Sequence, residues 1–332
     1  MSEKYDAPGD LATSAAPGPV GDLAASTASA SSAAVTFRRF LRNKTAVAGL
    51  VIFAVILLFA LFGGFLTSWD YKTNDFAALG VSPGTGDHIL GTNDGGIDLY
   101  ASIVHGLQRS MVIAFLVTIG TTIISTLVGT IAAYLGGLTE RISLLVINFM
   151  LVVPSLLILG LVGKRFGGDW KALIVVLIIF GWPFQARITW SLAQSVAASD
   201  FVRAAKYMGL GPLRIAVRHI VPNMSSLIIV NIVYGVVSTI IAETSLSFIG
   251  FGVRIPDVSL GSLLAQGTAS VTSSPWLFYY PALVLTLLTM SLSLVGDGLR
   301  DAFDPTSSGR GVRRKKRVKT PARVSIAKGD KS

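Results

Sequence analysis

Six stretches of this sequence are apolar enough, over about 20 residues each, to cross a hydrocarbon layer about 30 Å thick. No motif in the chain restricts its fold as strongly. The stretches run approximately from Ala46 to Leu66, Met111 to Tyr134, Ile142 to Val162, Ala172 to Trp190, Leu227 to Ile249 and Trp276 to Val295. Lipid offers no partner to a backbone N–H or C=O, so a stretch of this length crosses as a helix whose groups bond one another. The first run holds fourteen Leu, Ile, Phe or Val residues. On the insertion scale their sum is roughly −4 to −8 kcal/mol, an upper bound because that scale refers to the helix centre. Hydrophobic residues make up 52% of the chain and charged residues 14%, a balance foreign to a water-soluble domain. The expectation is an all-α integral membrane protein with six transmembrane helices.

The formal charge of +10 would suit a nucleic-acid binder, but the positions of the cations argue for a membrane flank instead. Arg38, Arg39, Arg42 and Lys44 precede the first run, and a further basic cluster, Arg313 to Arg317, follows the last. Cytoplasmic flanks carry such an excess and draw toward anionic lipid heads. Both termini are therefore expected in the cytoplasm of a multi-pass cell-membrane protein, with no nucleic-acid partner. The loop 67–110 carries five Asp against Lys72 and Arg109, as an external segment would. The connection from Lys164 to Lys171 opposes this orientation, being basic where it should be external. Residues 1–34, rich in Ala, Ser, Gly and Pro, are expected to be a disordered tail without the pattern of a cleavable signal. Residues 306–332 form a second, basic tail, and 35–305 the permeating domain.

A polar, basic insert within residues 191–224 separates the fourth and fifth runs. From Asp200 to Asn223 it reads as two short amphipathic helices. Asp200 is placed to cap the first, and Phe201, Ala204, Ala205 and Met208 share a face at three-and-four spacing, with Arg203 and Lys206 outside it. Gly209 offers a stop before Leu210, and Pro212 suits the first turn of a second helix with the stripe Leu213, Ala216, Val217 and Ile220. Two helices about a glycine also describe a DNA-binding helix-turn-helix. Here, however, membrane runs close in on both sides and leave the second helix little freedom to enter a groove. Lying flat on the bilayer is another use for such a pair.

Catalytic patterns are missing. No GxxxxGK[ST] stretch is present to cradle a nucleotide's phosphates. His88, His105 and His219 fall in no metal-ligand spacing, and no GxSxG elbow has a convincing base. With no cysteine in the chain, thiolate metal sites and nucleophiles are excluded. Neither catalytic residues, a metal nor a cofactor is expected in this chain.

The insert resembles the cytoplasmic loop of ABC-importer permeases, which has Glu-Ala-Ala, a glycine shortly after and a closing Ile-x-x-Pro or similar. Ala204, Ala205, Gly209 and Pro222 fit, while Arg203 stands where the family has Glu. The stretch HILGTNDGGIDLYASIVHGLQRS from His88 is similar to a segment of the C-type permeases of dipeptide and oligopeptide importers, with Ile97, Tyr100 and His105 departing from it. ETSLSFIGFGVRIPDVSLGSLL from Glu243 and GDGLRDAFDP from Gly296 are closer still. The resemblance spans Phe37 to Pro305. It implies a type I ABC importer permease fold with a helix-turn-helix coupling insert, and a subunit that is not itself an enzyme. Its partners would be a homologous six-span permease, two cytoplasmic ATPase subunits holding ATP and Mg, and an external substrate-binding protein. Dipeptides or oligopeptides are the implied cargo, with nickel complexes or another small solute as alternatives within the family. A secondary transporter or channel needing no ATPase is the rival outside it.

On this reading Arg203, Ala204, Ala205, Lys206, Met208, Gly209, Leu210 and Leu213 form the ATPase-coupling surface. Within the membrane, Asn231, Gly235, Ser238 and Ala242 share a helical face with Tyr234 and Thr239 beside it, and so polar a stripe should face a cavity or another helix. Asn231, Tyr234, Gly235, Ser238 and Glu243 are assigned to the translocation path. Glu243, the one carboxylate well inside an apolar run, costs about 2.5 to 3.5 kcal/mol at a helix centre. It should therefore be paired through Thr244, Ser245, Ser247 or a partner chain, or meet a substrate ammonium near the external mouth. Thr121, Ser125, Gly129 and Ala133 form a small-residue stripe suited to close helix packing. The loop from Ile255 to Ser274 is placed to help close the external mouth.

Overall fold

A computed structural model describes residues 32–155, 158, 160, 161 and 168–304. Its regular elements are all helical: α1 Ser32–Arg42, α2 Lys44–Phe62 with a 3-10 turn Gly63–Leu66, α3 Leu99–Leu135, α4 Gly137–Val152 and α5 Trp170–Ala197. The insert follows as α6 Asp200–Tyr207, α7 Pro212–Ile215, a π-turn Ala216–Ile220 and α8 Val221–Asn223. Then come α9 Ser225–Phe248, α10 Leu260–Ala269 and α11 Trp276–Phe303. Among the described residues, five segments are long and apolar enough to cross a membrane: Lys44–Leu66, Leu99–Leu135, Trp170–Ala197, Ser225–Phe248 and Trp276–Phe303. They coincide with five of the six apolar runs. The remaining run, Ile142 to Val162, begins as α4, which ends at Val152 ahead of Pro154. Its residues 156, 157, 159 and 162 lie outside the described residues, as do Lys164, Arg165, residues 1–31 and the whole C-terminal tail from 305.

Besides the extension of α5 to Ala197, into the insert read from 191, and of α11 to Phe303 rather than Val295, two boundaries differ from the sequence expectation. Helix α1 starts at Ser32, inside the segment read as a disordered tail, and carries the basic residues before the first span. Asn43 separates it from α2, its side chain accepting from the N–H of Thr45 at 3.1 Å and of Ala46 at 3.4 Å. The second difference is α3, which begins at Leu99 rather than Met111 and contracts the loop to 67–98. Asp98 caps it, accepting from Ala101 N–H at 2.7 Å. Residues 99–110 include His105, Gln108 and Arg109, which lower hydropathy without interrupting the helix. Helix α3 thus has 37 residues and a length of about 55 Å at about 1.5 Å per residue.

Close approach organises the bundle. The stripe on α3 packs against α5, where a Cβ on Gly129 would lie 2.8 Å from Ala186 O and from Trp190 N. In α2 only Ala46, Gly49, Ile56 and Ala60 are buried. A Cβ at Gly49 would sit 2.6 Å from Leu294 Cβ of α11, so this helix lies tight against α11 and turns Val51, Val55 and Leu58 outward. Ile56, Leu107, Met111, Ile240, Leu260 and Leu288 meet where α2, α3, α9, α10 and α11 converge. Loop 67–98, the start of α3 and the connection after α9 lie at one end of the bundle. The insert lies at the other.

Candidate coupling surface and translocation cavity

At the insert end, the segment from α6 to the start of α9 folds back on the bundle through Val202, Ala205, Ile215, Ile220 and Met224, all nearly inaccessible. They pack on Ala193, with Ala133, Tyr134, Leu192 and Val196 around them. The two expected stripes are each divided. Ala205, Ala216 and Ile220 turn inward and Leu210 is half-buried on the same core, whereas Phe201, Ala204, Met208, Leu213 and Val217 are exposed. The cause is the wide apolar arc of α6: Val202 and Ala205 form a second face beside Phe201, Ala204 and Met208, and the bundle takes that one. Exposure reaches 90% at Tyr207, 71% at Met208 and 61% at Leu213, which form an exposed apolar knob.

Ser199, not Asp200, holds the N-cap position of α6, and it makes no side-chain cap bond. Asp200 is the first residue of the helix and pairs instead with exposed Arg203. Such an exposed pair adds little stability. Lys206 is exposed as well. Gly209 ends α6 at φ +77, a conformation that residues with a side chain rarely adopt; its N–H bonds to Lys206 O at 3.0 Å. The π-turn answers Pro222, which has no N–H and whose ring crowds the carbonyl four residues back. Val221 N–H accordingly bonds to Ala216 O, five residues back.

Midway along the bundle a cavity of about 260 Å³ opens between three helices. Thr118, Thr121 and Thr122 of α3, Gly181, Phe184 and Gln185 of α5, and Asn231, Gly235, Ser238, Thr239 and Ala242 of α9 line it. The α9 stripe expected to face a cavity or another helix lines this cavity. Tyr234 and Glu243 do not line it. The Tyr234 hydroxyl donates to Asp297 of α11. Glu243, 0% exposed, accepts from Ser247 Oγ at 2.7 Å and from Ser110 Oγ at 3.2 Å. Ser110 Oγ in turn accepts from Leu260 N–H at 3.1 Å, so the carboxylate ties α3, α9 and the start of α10 together. Of the alternatives open to Glu243, pairing with Ser247 is the one observed, and Ser110 is an addition that spacing along one helix cannot disclose. The α3 and α5 walls also escape sequence reasoning, although Gln185, a lone amide in an apolar run, was a usable signal.

The loop end is held by polar contacts. His88, 2% exposed, sits between Asp98 Oδ2 at 2.9 Å and Asp75 Oδ2 at 3.4 Å, with Trp69 against its ring. Nearby, Asp257 meets His105 Nε2 at 2.8 Å and Arg109 Nε at 2.9 Å. Tyr71 of the loop stacks on His105 with ring centroids 3.6 Å apart, and the Arg109 guanidinium lies over Trp170 at 4.1 Å. Burial pushes the Asp257 carboxyl up, but the His105 bond, the Val258 N–H and the charge of Arg109 together outweigh it and hold it below the usual carboxylate value. The segment from Ile255 to Ser274 contains α10. With loop 67–98 it borders a cavity of about 380 Å³ lined by Tyr71, Lys72, Asn93, Ile255, Pro256 and Gln266 among others.

A helical membrane bundle with a polar cavity at mid-depth and an unpartnered apolar knob at one end has the form of a transport subunit. Comparison with known proteins agrees. Residues 125–308 match the family model for the binding-protein-dependent transport system inner membrane component, and residues 31–83 match the N-terminal TM domain of oligopeptide transport permease C. The chain belongs to this family of transport permeases. It is 43% identical over 288 residues to the oligopeptide transport system permease protein OppC of Mycobacterium tuberculosis, covering 86% of this chain and 99% of that one. Against the protein of the same name from Bacillus subtilis, identity is 32%, with 80% and 87% covered. The dipeptide transport system permease protein DppC of Alkalihalophilus pseudofirmus is 30% identical, with 81% and 88% covered.

Proposed function

We propose that the chain is one permease subunit of an ATP-driven peptide importer. It forms half of a translocation path with a homologous permease, and takes its driving force from two cytoplasmic ATPase subunits that hold ATP and Mg. An external binding protein delivers the peptide. The knob carries this reading: Tyr207, Met208 and Leu213, 90%, 71% and 61% exposed, offer apolar surface that a partner protein can cover. In a chain with no nucleotide-binding loop, that partner is the energy source. The relatives' names supply the cargo, oligopeptide and dipeptide. The third apolar run supplies the sixth crossing, so both termini and the insert stand in the cytoplasm and loop 67–98 stands outside.

Arg203, Ala204, Lys206, Met208, Gly209 and Leu213 compose the docking face, while Ala205 and Leu210 hold it to the bundle from behind. When the ATPase subunits close, the knob moves with them and the packed helices swing as rigid bodies between inward-open and outward-open forms. Asn231, Gly235 and Ser238 line the path, and Tyr234 and Glu243 brace its walls. Purification in mild detergent from the native host, followed by peptide uptake into proteoliposomes, tests the proposal. Recovery of a second permease and two ATPase chains, with uptake that needs ATP, is the expected result. A self-sufficient oligomer that transports without ATP would refute it.

A further inference from the structure

The cavity between α3, α5 and α9 has a wall chemistry that the proposed function does not by itself require. Threonine and serine hydroxyls and two side-chain amides line it, and among the described residues no ionisable side chain does. The hydroxyls are largely occupied. Thr121 donates to Val117 O at 2.9 Å, Ser238 to Gly235 O at 3.0 Å, and Thr118 and Thr239 face one another at 3.4 Å. Gln185 and Asn231 are different: both are half-buried, and among the described residues neither side chain has a hydrogen-bond partner. Each amide carries two donors and an acceptor. A polar group left without a partner in a membrane-spanning segment costs several kcal/mol unless water or a ligand satisfies it. The two amides come from different helices and open into one space, and Pro183, two residues before Gln185, is buried within α5.

We propose that Gln185 and Asn231 form a neutral hydrogen-bonding rung that takes the backbone amides of a peptide in transit. This rests on the peptide-import reading. A peptide bond presents one N–H and one C=O, the complement of what a side-chain amide offers, so the pair can hold any peptide by its main chain. Because none of the described residues lining the cavity is charged, acidic, basic and neutral side chains meet the same wall. The rung is thus a binding element that selects for peptide groups and ignores sequence, and Gln185 is its residue on α5.

The assembled transporter, with both permeases, the ATPase subunits and the binding protein in proteoliposomes, supplies the test. Its probes are three alanine tripeptides whose central residue is alanine, aspartate or lysine. In the Gln185→Leu and Asn231→Leu double variant, uptake of all three should fall by one common factor of about tenfold or more, since an unmatched peptide group is then left in the path. ATPase stimulation by the loaded binding protein should persist. Gln185→Glu, nearly isosteric, should separate the probes instead, lowering uptake of the aspartate peptide several-fold relative to the lysine peptide. Unchanged uptake in an assembled double variant would overturn the proposal, as would a loss that differs among the three peptides. If the double variant fails to assemble, an assembled Gln185→Glu complex that shows no separation overturns it equally. A wild-type complex that carries none of the three peptides defeats the import reading and this inference together, whereas carriage by wild type and double variant alike defeats only the inference.

Discussion

The two ends of the bundle treat their side chains in opposite ways. At the loop end, charged and aromatic groups find partners within the chain: Asp257 has His105 and Arg109, Arg109 also has Trp170, and His88 has two carboxylates. At the insert end, the buried half of α6 and the π-turn is apolar and complete, but the outer half leaves Tyr207, Met208 and Leu213 uncovered. The loop end pairs its charged groups by its own sequence, although Phe76 and Ile255 stay 81% and 78% exposed there, whereas the outer face of the insert end is apolar and awaits a partner. Substitutions at the loop end should therefore register in the stability of the isolated chain. Substitutions on the knob should register only in the assembly.

The sharpest separation is expected from Met208→Lys combined with Leu213→Asp. Interface anchors contribute about 2 kcal/mol or more each when truncated. Recovery of ATPase subunits in a pull-down should fall by about a hundredfold or more, while thermal unfolding of the isolated permease shifts by no more than about 0.5 kcal/mol. A marked loss of permease stability would show that the knob belongs to the chain's own core. Next in size is Asp257→Ala, which strands a partly buried Arg109 and His105. A loss of about 2 to 3 kcal/mol is expected, together with faster proteolysis of loop 67–98 and unaltered ATPase recovery.

Gly209→Val combines both kinds of effect. Space is open around its Cβ, so only the left-handed backbone resists, at about 1 to 2 kcal/mol. Solute moved per ATP hydrolysed should drop well before the permease itself unfolds, and normal transport by this variant would remove the hinge from the mechanism. The smallest effect concerns pH. A carboxyl lowered in the folded state stabilises it fully above its unfolded-state value and loses that contribution as pH falls through the folded value. Because Asp257 is lowered, the stability gap between wild type and Asp257→Asn should stay constant from about pH 8 to pH 5 and close only in stronger acid. A gap that closed near neutral pH would mean that another group sets the strength of this end.

Which features the sequence discloses follows from the range of the forces involved. Five spans, the Gly209 break, the small stripe of α3 and the polar face of α9 are local patterns, and the structure contains each of them. The start of α3 escaped because His105 and Arg109 break hydropathy but not helicity, and their polar groups are met by Asp257, about 150 residues further on. The inward face of α6 escaped because two apolar faces overlap on one short helix, and only the bundle decides between them. Gln185 and the threonines of α3 joined the cavity through packing alone, as Ser110 joined Glu243. Placement across helices is tertiary information that no single run of residues contains.

Helix α3 has one further consequence. Neighbouring α5 and α11 each contain an internal proline, whereas α3 runs from Leu99 to Leu135 without one. Its first turns hold His105 and Arg109, Ser110 reaches Glu243, its middle lines the cavity, and Ala133 and Tyr134 rest on the insert. A single stiff strut therefore touches every working part of the molecule in sequence. Tilting that strut at its foot displaces its head at the same moment, with no intervening joint to absorb the stroke.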